Sequence, residues 1–353
     1  MKNQLKHLIL LDPSSYHFYG DELFNAESHF NRDNCLAGGI RLRDKLVSQG
    51  AAIHTADYFF SQNADLFQET DIEYSSFGCL QDFQKLSALP NFHLNYFFIL
   101  EPPVVYPLVY KKLPELTQYF KRVYVYNTHG DGYSLRHVCK EKLHQLYFVQ
   151  PYHQVLLPNW ERKDRHHKIV MINGNRRPSF RYHGDRELYS QRIQAMIALS
   201  RFNAIDLYGF GWDNKWSRDS CWLTYWLNVH RLLKFYKGHC HSKYSILSQY
   251  QFCLCFENMR MDGYITEKIF DCLYAGTIPL YLGAPNISQY VPVEAYVDCR
   301  QFDSWEDLWH FIDQLSLVQI NKMREAGKTF IEGKQFDPFY NFLETIFMSS
   351  IIR

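Results

Sequence analysis

The chain has 353 residues, enough for one large or two medium domains. Hydrophobic residues make up 46% and charged residues 21%, a composition that supports a real core and excludes a disordered chain. The formal net charge of +1 gives no global drive toward nucleic acid or an anionic membrane.

Taken in order, the chain alternates short apolar runs with amphipathic stretches. Residues 5–11, LKHLILL, read as a first strand and are too short to span a bilayer. Further strands are predicted at AAIHT, LNYFFIL, RVYVYN, KIVMIN, NAIDLYG, YQFCLCF, TIPLYL and AYVDC. Several are almost continuously apolar, as strands covered on both faces must be. Helical patterns lie between them, among them CLAGGIRLRDKLVSQG and RELYSQRIQAMIALS. This alternation predicts an α/β protein with parallel sheets.

Residues 150–168, QPYHQVLLPNWERKDRHHK, break the rhythm with two prolines and a dense run of charges. They read as a linker over 151–168. The predicted organisation is a Rossmann-like domain over 1–150, that linker, a second Rossmann-like domain over 169–335, and a C-terminal helix over 336–353. Asp337 and Pro338 mark the start of that helix.

Nine cysteines with no CxxC pair fit reduced core thiols in a cytosolic protein better than disulfides. His239, Cys240 and His241 are adjacent and have no distant second pair, so they make a poor metal site. No GxxxxGK[ST], HExxH, GxSxG or Asp-x-Asp occurs, and GFGWDN is only a fragment of a dinucleotide fingerprint. No carboxylate-held metal is indicated.

The densest polar cluster is CFENMRMDGYITEKIF, residues 255–270. A buried strand ends, a loop with Gly263 follows, and Thr266 is placed to cap the helix EKIFDCLYA. Ile269, Cys272, Leu273 and Ala275 form its inner stripe, and Gly276 ends it. Ligands of open α/β sheets bind beyond the carboxyl ends of strands, where a helix N-terminus favours phosphate. Lys268 adds a full positive charge there, and Glu267 suits sugar hydroxyls such as those of a ribose. The pattern reads as a nucleoside-diphosphate site. The same residues also fit a plain helix cap with a solvated lysine, and the pattern alone leaves both open.

The stretch YQFCLCFENMRMDGYITEKIFDCLYAGTIPLYLGAPNI resembles the signature of the α-1,3-fucosyltransferase family, glycosyltransferase family 10. MINGNRRP with ELYSQRIQAMIAL and IDLYGFGW resembles the segment that precedes it, including an arginine in the helix, Arg192. FFILEPP resembles the family strand that ends in a catalytic glutamate, here Glu101. The likeness is close over the second half and thinner over the first. Met259 stands where animal members have Ser, and Gly263 where they often have Asp. The chain also lacks the membrane anchor of animal members and the basic repeat of some bacterial ones.

The resemblance implies the two-Rossmann-domain GT-B glycosyltransferase fold, with the domains facing a cleft. It implies inverting transfer of L-fucose from GDP-β-L-fucose to a glycan hydroxyl, O3 of GlcNAc in an N-acetyllactosamine-type surface polysaccharide such as a lipopolysaccharide. Glu101 would be the general base. Arg192 and Lys268 would stabilise the leaving GDP, and no metal or other cofactor would be required. Glu257, Asn258, Tyr264, Thr266 and Glu267 would complete the GDP-sugar site with Arg192 and Lys268. His129 and Asp131 would line the acceptor side or serve as plain turn residues. The alternatives are a GT-B transferase using another GDP-sugar and a non-catalytic glycan-binding protein.

One further helix stands out. In WLTYWLNVHRLLKFYKG, Trp222, Trp226, Val229, Leu233 and Tyr236 share one face, with Thr224, Asn228, Arg231 and Lys234 toward the other. Such a helix fits a membrane interface or, more simply, a packed apolar face. The expected location is cytoplasmic, with peripheral contact at the inner membrane face as the variant.

Overall fold

The computed structural model describes residues 7–13, 15–62, 67–176, 186–213 and 223–351. The chain divides into two compact units, one of residues 1–151 and 338–353, the other of residues 152–337.

The first unit holds six parallel strands: β1 (His7–Asp12), β2 (Ala52–Thr55), β3 (Asp71–Ser76), β4 (Phe92–Phe98), β5 (Arg122–Val125) and β6 (Leu143–Gln145). Their order is β2-β1-β3-β4-β5-β6. Parallel neighbours need crossovers, and helices α1 (Ala37–Ser48) and α2 (Leu113–Tyr119) supply two of them. Leu8, Leu10, Ile72, Phe97 and Val123 are at most 1% exposed and form the centre of its core. The sequence reading omits β3 and β6. In β3 polar residues sit on a buried strand, and Tyr74 and Glu73 each have a partner. The Tyr74 hydroxyl donates to the Asp12 carboxylate, and Glu73 accepts from Asn95 at 2.6 Å and pairs with His7 at 3.1 Å.

The second unit holds β7 (His166–Ile172), β8 (Ile205–Tyr208), β9 (Tyr250–Phe256), β10 (Ile278–Leu282) and β11 (Val297–Asp298), again all parallel. The order is β11-β10-β9-β7-β8. Its main helices are α3 (Tyr189–Ser200), α4 (Leu223–Leu232), α5 (Lys243–Leu247), α6 (Glu267–Ala275), α7 (Trp305–Asp313) and α8 (Leu317–Ile331). In each unit the first strand lies between the second and the third. Successive connections therefore leave in opposite directions, opening a crevice at the strands' carboxyl ends between β1 and β3 and between β7 and β9.

Residues 151–168 are not a free linker. The second unit starts at Tyr152, a helical turn forms over Leu157–Trp160, and β7 begins at His166. Arg165 fastens this stretch to the end of α6. Its Nη2 donates to the carbonyls of Asn159, Trp160 and Ala275 at 2.7, 3.1 and 2.8 Å. Arg324 stacks over the Trp160 ring at 4.6 Å and donates to Gly276 O at 2.9 Å. Carbonyls at a helix C-terminus lack intrahelical partners, and cations there also meet the negative end of the macrodipole.

The tail returns to the first unit and is broken at Asn341, giving Asp337–Tyr340 and then α9 (Phe342–Ile351). Phe347 packs edge-on against Tyr96 at 5.2 Å. Residues 352 and 353 lie outside the described residues, as do 1–6 at the start of the first predicted strand.

The helix considered for a membrane interface is α4. Val229 is 7% exposed and packs in the core beside Leu207 and Trp212, with Leu233 and Tyr236 against the same cluster. Three residues of the apolar face therefore serve the core and are not offered to lipid. Trp226 and Leu227 are exposed, while Trp222 and the Thr224 side chain lie outside the described residues. Among the described residues no helix is long and apolar enough to cross a membrane.

Candidate active site

At the carboxyl end of β9 the Glu257 N–H still bonds Leu282 O at 2.9 Å, which carries the ladder one residue past the strand. The Glu257 side chain is wholly buried. Its Oε1 accepts from the Thr266 N–H at 2.8 Å. The Thr266 hydroxyl lies 3.1 and 2.8 Å from the two carboxylate oxygens. Lys268 Nζ stands 3.2 Å from Glu257 Oε2 and donates to Thr266 Oγ1 at 2.7 Å. A buried carboxylate is tolerable because it is paired and hydrogen-bonded. Thr266 thus spends its side chain on Glu257 and makes no capping bond to α6, contrary to the sequence reading. The first-turn N–H groups of α6 keep their capacity for an anion.

Between Glu257 and Thr266 the loop is pinned from several sides. Leu188 N–H donates to Asn258 O at 3.1 Å and Arg260 N–H to Arg186 O at 2.7 Å. Gly263 has φ 69°, the left-handed region that suits glycine, and its N–H donates to Asn286 Oδ1 at 2.8 Å. Asn258 Nδ2 donates to the hydroxyl of Tyr264, which is 1% exposed. Gly283 permits the closest approach. A Cβ there would lie 2.5 Å from Tyr281 Oη and 2.6 Å from Glu257 Cγ.

Arg192, on the buried face of α3, is 4% exposed. Its Nη2 donates to Phe256 O, Glu257 O and Asn258 Oδ1 at 2.8, 2.7 and 2.9 Å. Among the described residues its Nε has no hydrogen-bond partner. Burial pulls the guanidinium below its ordinary range, while Tyr189 and Glu257 act the other way. The arginine lies beneath the loop and holds the end of β9.

The β7/β9 crevice contains a cavity of about 180 Å³ lined by Asn173, Gly174, Lys243, Glu267, Lys268 and Asp271. Burial opposes charge on every ionisable group here, and pairing decides the outcome. For Glu267 burial alone would raise the carboxyl, but Lys268 and Lys243 hold it down to about 2. For Lys268 burial would lower the ammonium, but Glu257 and Glu267 outweigh it and push it up. For Asp271 burial wins over Lys243 and lifts the carboxyl to about 6.

The second unit therefore brings together Arg192, Glu257, Asn258, Tyr264, Thr266, Glu267 and Lys268. Glu257, predicted as a sugar contact or a loop anchor, has no exposed surface and anchors the loop. Glu101 lies in the first unit, just past β4, with an exposed side chain; its carbonyl accepts from the Tyr110 hydroxyl at 3.1 Å. His129 and Asp131 lie in a turn after β5. The Asn127 side chain organises it by accepting from Gly130 N–H at 3.0 Å and Asp131 N–H at 2.9 Å. The sequence reading missed Lys243 and Asp271. Asp271 follows Glu267 by four residues and was readable from helical spacing, whereas nothing local marks Lys243. Among the described residues no three His, Cys, Asp or Glu side chains come together as metal ligands.

Two parallel α/β units of matching strand order, the second carrying a charged pocket at its switch point, define a GT-B glycosyltransferase fold. A crystal structure of an α1,3-fucosyltransferase shares this fold, covering 100% of this chain and 92% of its own, with TM-score 0.53 and 15% identity. Residues 181–323 match the model of the glycosyltransferase family 10 (fucosyltransferase) C-terminal domain. The α-(1,3)-fucosyltransferase FucT of Helicobacter pylori is 38% identical over 98 residues, which are 27% of this chain and 20% of that protein. GDP-fucose protein O-fucosyltransferase 3 of Danio rerio is 53% identical over 49 residues, 14% of this chain and 11% of its own. The aligned parts thus span a fifth or less of these curated relatives. The likeness to glycosyltransferase family 10, the fucosyltransferases, thus lies in residues 181–323.

Proposed function

We propose that the protein transfers L-fucose from GDP-β-L-fucose to a hydroxyl of a glycan, with inversion at the sugar carbon. The observation that carries this reading is the Glu257–Thr266–Lys268 arrangement. It sets an ammonium and an uncapped helix N-terminus together at the β7/β9 crevice, inside the segment that matches the fucosyltransferase domain.

In this reading the diphosphate sits against the first turn of α6 and Lys268. Glu267, held ionised, accepts from the ribose hydroxyls. The acceptor oxygen attacks C1 of fucose as the C1–O bond to the diphosphate breaks, and GDP leaves. The acceptor proton passes to Glu101. Charge that develops on the departing phosphate is met by Lys268, by the helix terminus and, from beneath the loop, by Arg192. These positive groups supply the leaving-group stabilisation that a metal provides in other transferases.

The proposed acceptor is O3 of GlcNAc in an N-acetyllactosamine-type surface polysaccharide such as a lipopolysaccharide. The proposed setting is the cytoplasm or the inner membrane face. A protein hydroxyl is the second reading, favoured by the likeness to the Danio rerio protein O-fucosyltransferase. The test is a panel of GDP-, UDP- and ADP-sugars offered with glycan and peptide acceptors, scoring nucleotide release and transfer. GDP-fucose turnover well above the rest is expected. Equal turnover of another GDP-sugar would move the donor assignment, and transfer to peptide alone would move the acceptor.

A further inference from the structure

Two carboxylates and two ammoniums crowd the β7/β9 cavity. Glu267 and Asp271 stand four residues apart on α6, a spacing at which like charges face each other and repel. Lys268 is committed to Glu257 at 3.2 Å and reaches Glu267 Oε1 only at 3.4 Å. The remaining cation comes from another element. Lys243, the first residue of α5, places Nζ 2.7 Å from Asp271 Oδ2. The side chains of Lys243 and Asp271 are 28% and 8% exposed, so water screens the pair weakly. Lys243 acts on Glu267 as well, as the second of the two lysines that hold its carboxyl down.

We propose that Lys243 is a positioning residue of the nucleotide site: by neutralising Asp271 it lifts the repulsion on Glu267 and keeps that carboxylate aimed at the ribose hydroxyls. This rests on the reading of Glu267 as the ribose-binding group. If Lys243 only tied α5 to α6, its loss would affect every nucleotide alike. The proposal makes a narrower demand, that the loss falls on ribose recognition.

The experiment measures binding of GDP and of 2′,3′-dideoxy-GDP by calorimetry to the full chain and its variants. Hydrogen bonds to a carboxylate predict that wild type prefers GDP by about tenfold or more. Glu267→Gln loses that preference. Measured at alkaline pH, where Asp271 stays ionised without its cation, Lys243→Met loses most of it, Lys243→Arg keeps it, and Asp271→Asn in the Lys243→Met background restores it by removing the repelling charge. Should Lys243→Met not fold, Lys243→Gln retains a hydrogen bond to Asp271 without the charge and is expected to lose the preference equally. A preference unchanged in the neutral Lys243 variants, or both nucleotides weakened by one factor, overturns the proposal while the ribose reading stands. No preference in wild type, or one that survives Glu267→Gln, overturns the ribose reading and this proposal with it.

Discussion

Glu257 and Thr266 are nine residues apart in sequence and locked in space. One buried carboxylate takes both the backbone N–H and the hydroxyl of the threonine. The bond closes the 258–265 loop and fixes where α6 begins, so Lys268 and Glu267 enter the site from a determined first turn. Glu257 is the support, and Lys268 is the group proposed to meet the diphosphate.

Replacing Lys268 by alanine should weaken GDP binding by about ten- to a hundredfold, the range for one charge-assisted contact or two. It also leaves Glu257 buried without its cation, so the melting temperature should fall too. Calorimetry and a thermal melt on the same preparation check both. Unchanged GDP affinity would remove Lys268 from the diphosphate.

Glu101→Gln should leave GDP affinity intact and cut the transfer rate by about a hundred- to ten-thousandfold, the usual worth of a general base. Its exposed side chain makes a folding defect an unsuitable explanation of such a loss. Turnover at the wild-type rate would reassign the base.

Gly283→Ala drives a methyl group into Tyr281 and Glu257. Overpacking of this kind costs about 1–3 kcal/mol. Urea unfolding should show that loss, together with weaker GDP binding, because the displaced carboxylate is the anchor of the loop. An unaltered midpoint would mean that the loop yields freely.

Asp271 carries a pH signature. Its folded carboxyl titrates at about 6, above its ordinary 3.8, so the folded state binds that proton more tightly than the unfolded chain. The stability it contributes is present below the ordinary value and lost as pH rises through about 6. Relative to Asp271→Asn, wild type should become progressively less stable from pH 4 to 7. Glu267 has the opposite sign. Its carboxyl is depressed to about 2, so its contribution is present above 4.5 and fades only as pH falls toward 2. Urea unfolding across pH 4–7 separates the two, and a flat difference between wild type and Asp271→Asn would refute the assignment.

Transfer should persist in the presence of a strong chelator, because Lys268, Arg192 and the α6 terminus supply the positive charge. A rate abolished by chelation and restored by magnesium or manganese would overturn that expectation.

Much of the fold was legible because parallel strands buried on both faces leave an unbroken apolar trace. β9, YQFCLCF, is the clearest case, buried at every residue but Gln251. β3 was not legible, since its Glu73 and Tyr74 are satisfied by β4 and β1, strands about 20 or more residues away in sequence. The candidate site could be read from 257–268 because its groups are contiguous. What each group does was less readable. Thr266 looked like a helix cap until Glu257 proved to be its partner, and Arg192, read as a group for the leaving GDP, spends its Nη2 on the carbonyls of Phe256 and Glu257. Lys243 reaches its place through a tertiary contact 28 residues away in sequence.

The return of the tail has a practical consequence. Gln150 N–H bonds Phe339 O at 3.1 Å, and Arg41 gathers the carbonyls of Gln150, Pro151 and Tyr340 at 3.1, 3.1 and 2.8 Å. The two points where the chain leaves and re-enters the first unit are therefore stapled side by side. Residues 152–337 amount to a cassette inserted into a host, and a short peptide joining 151 to 338 would close the host without it. The two units could then be produced separately, and other cassettes grafted into the same opening.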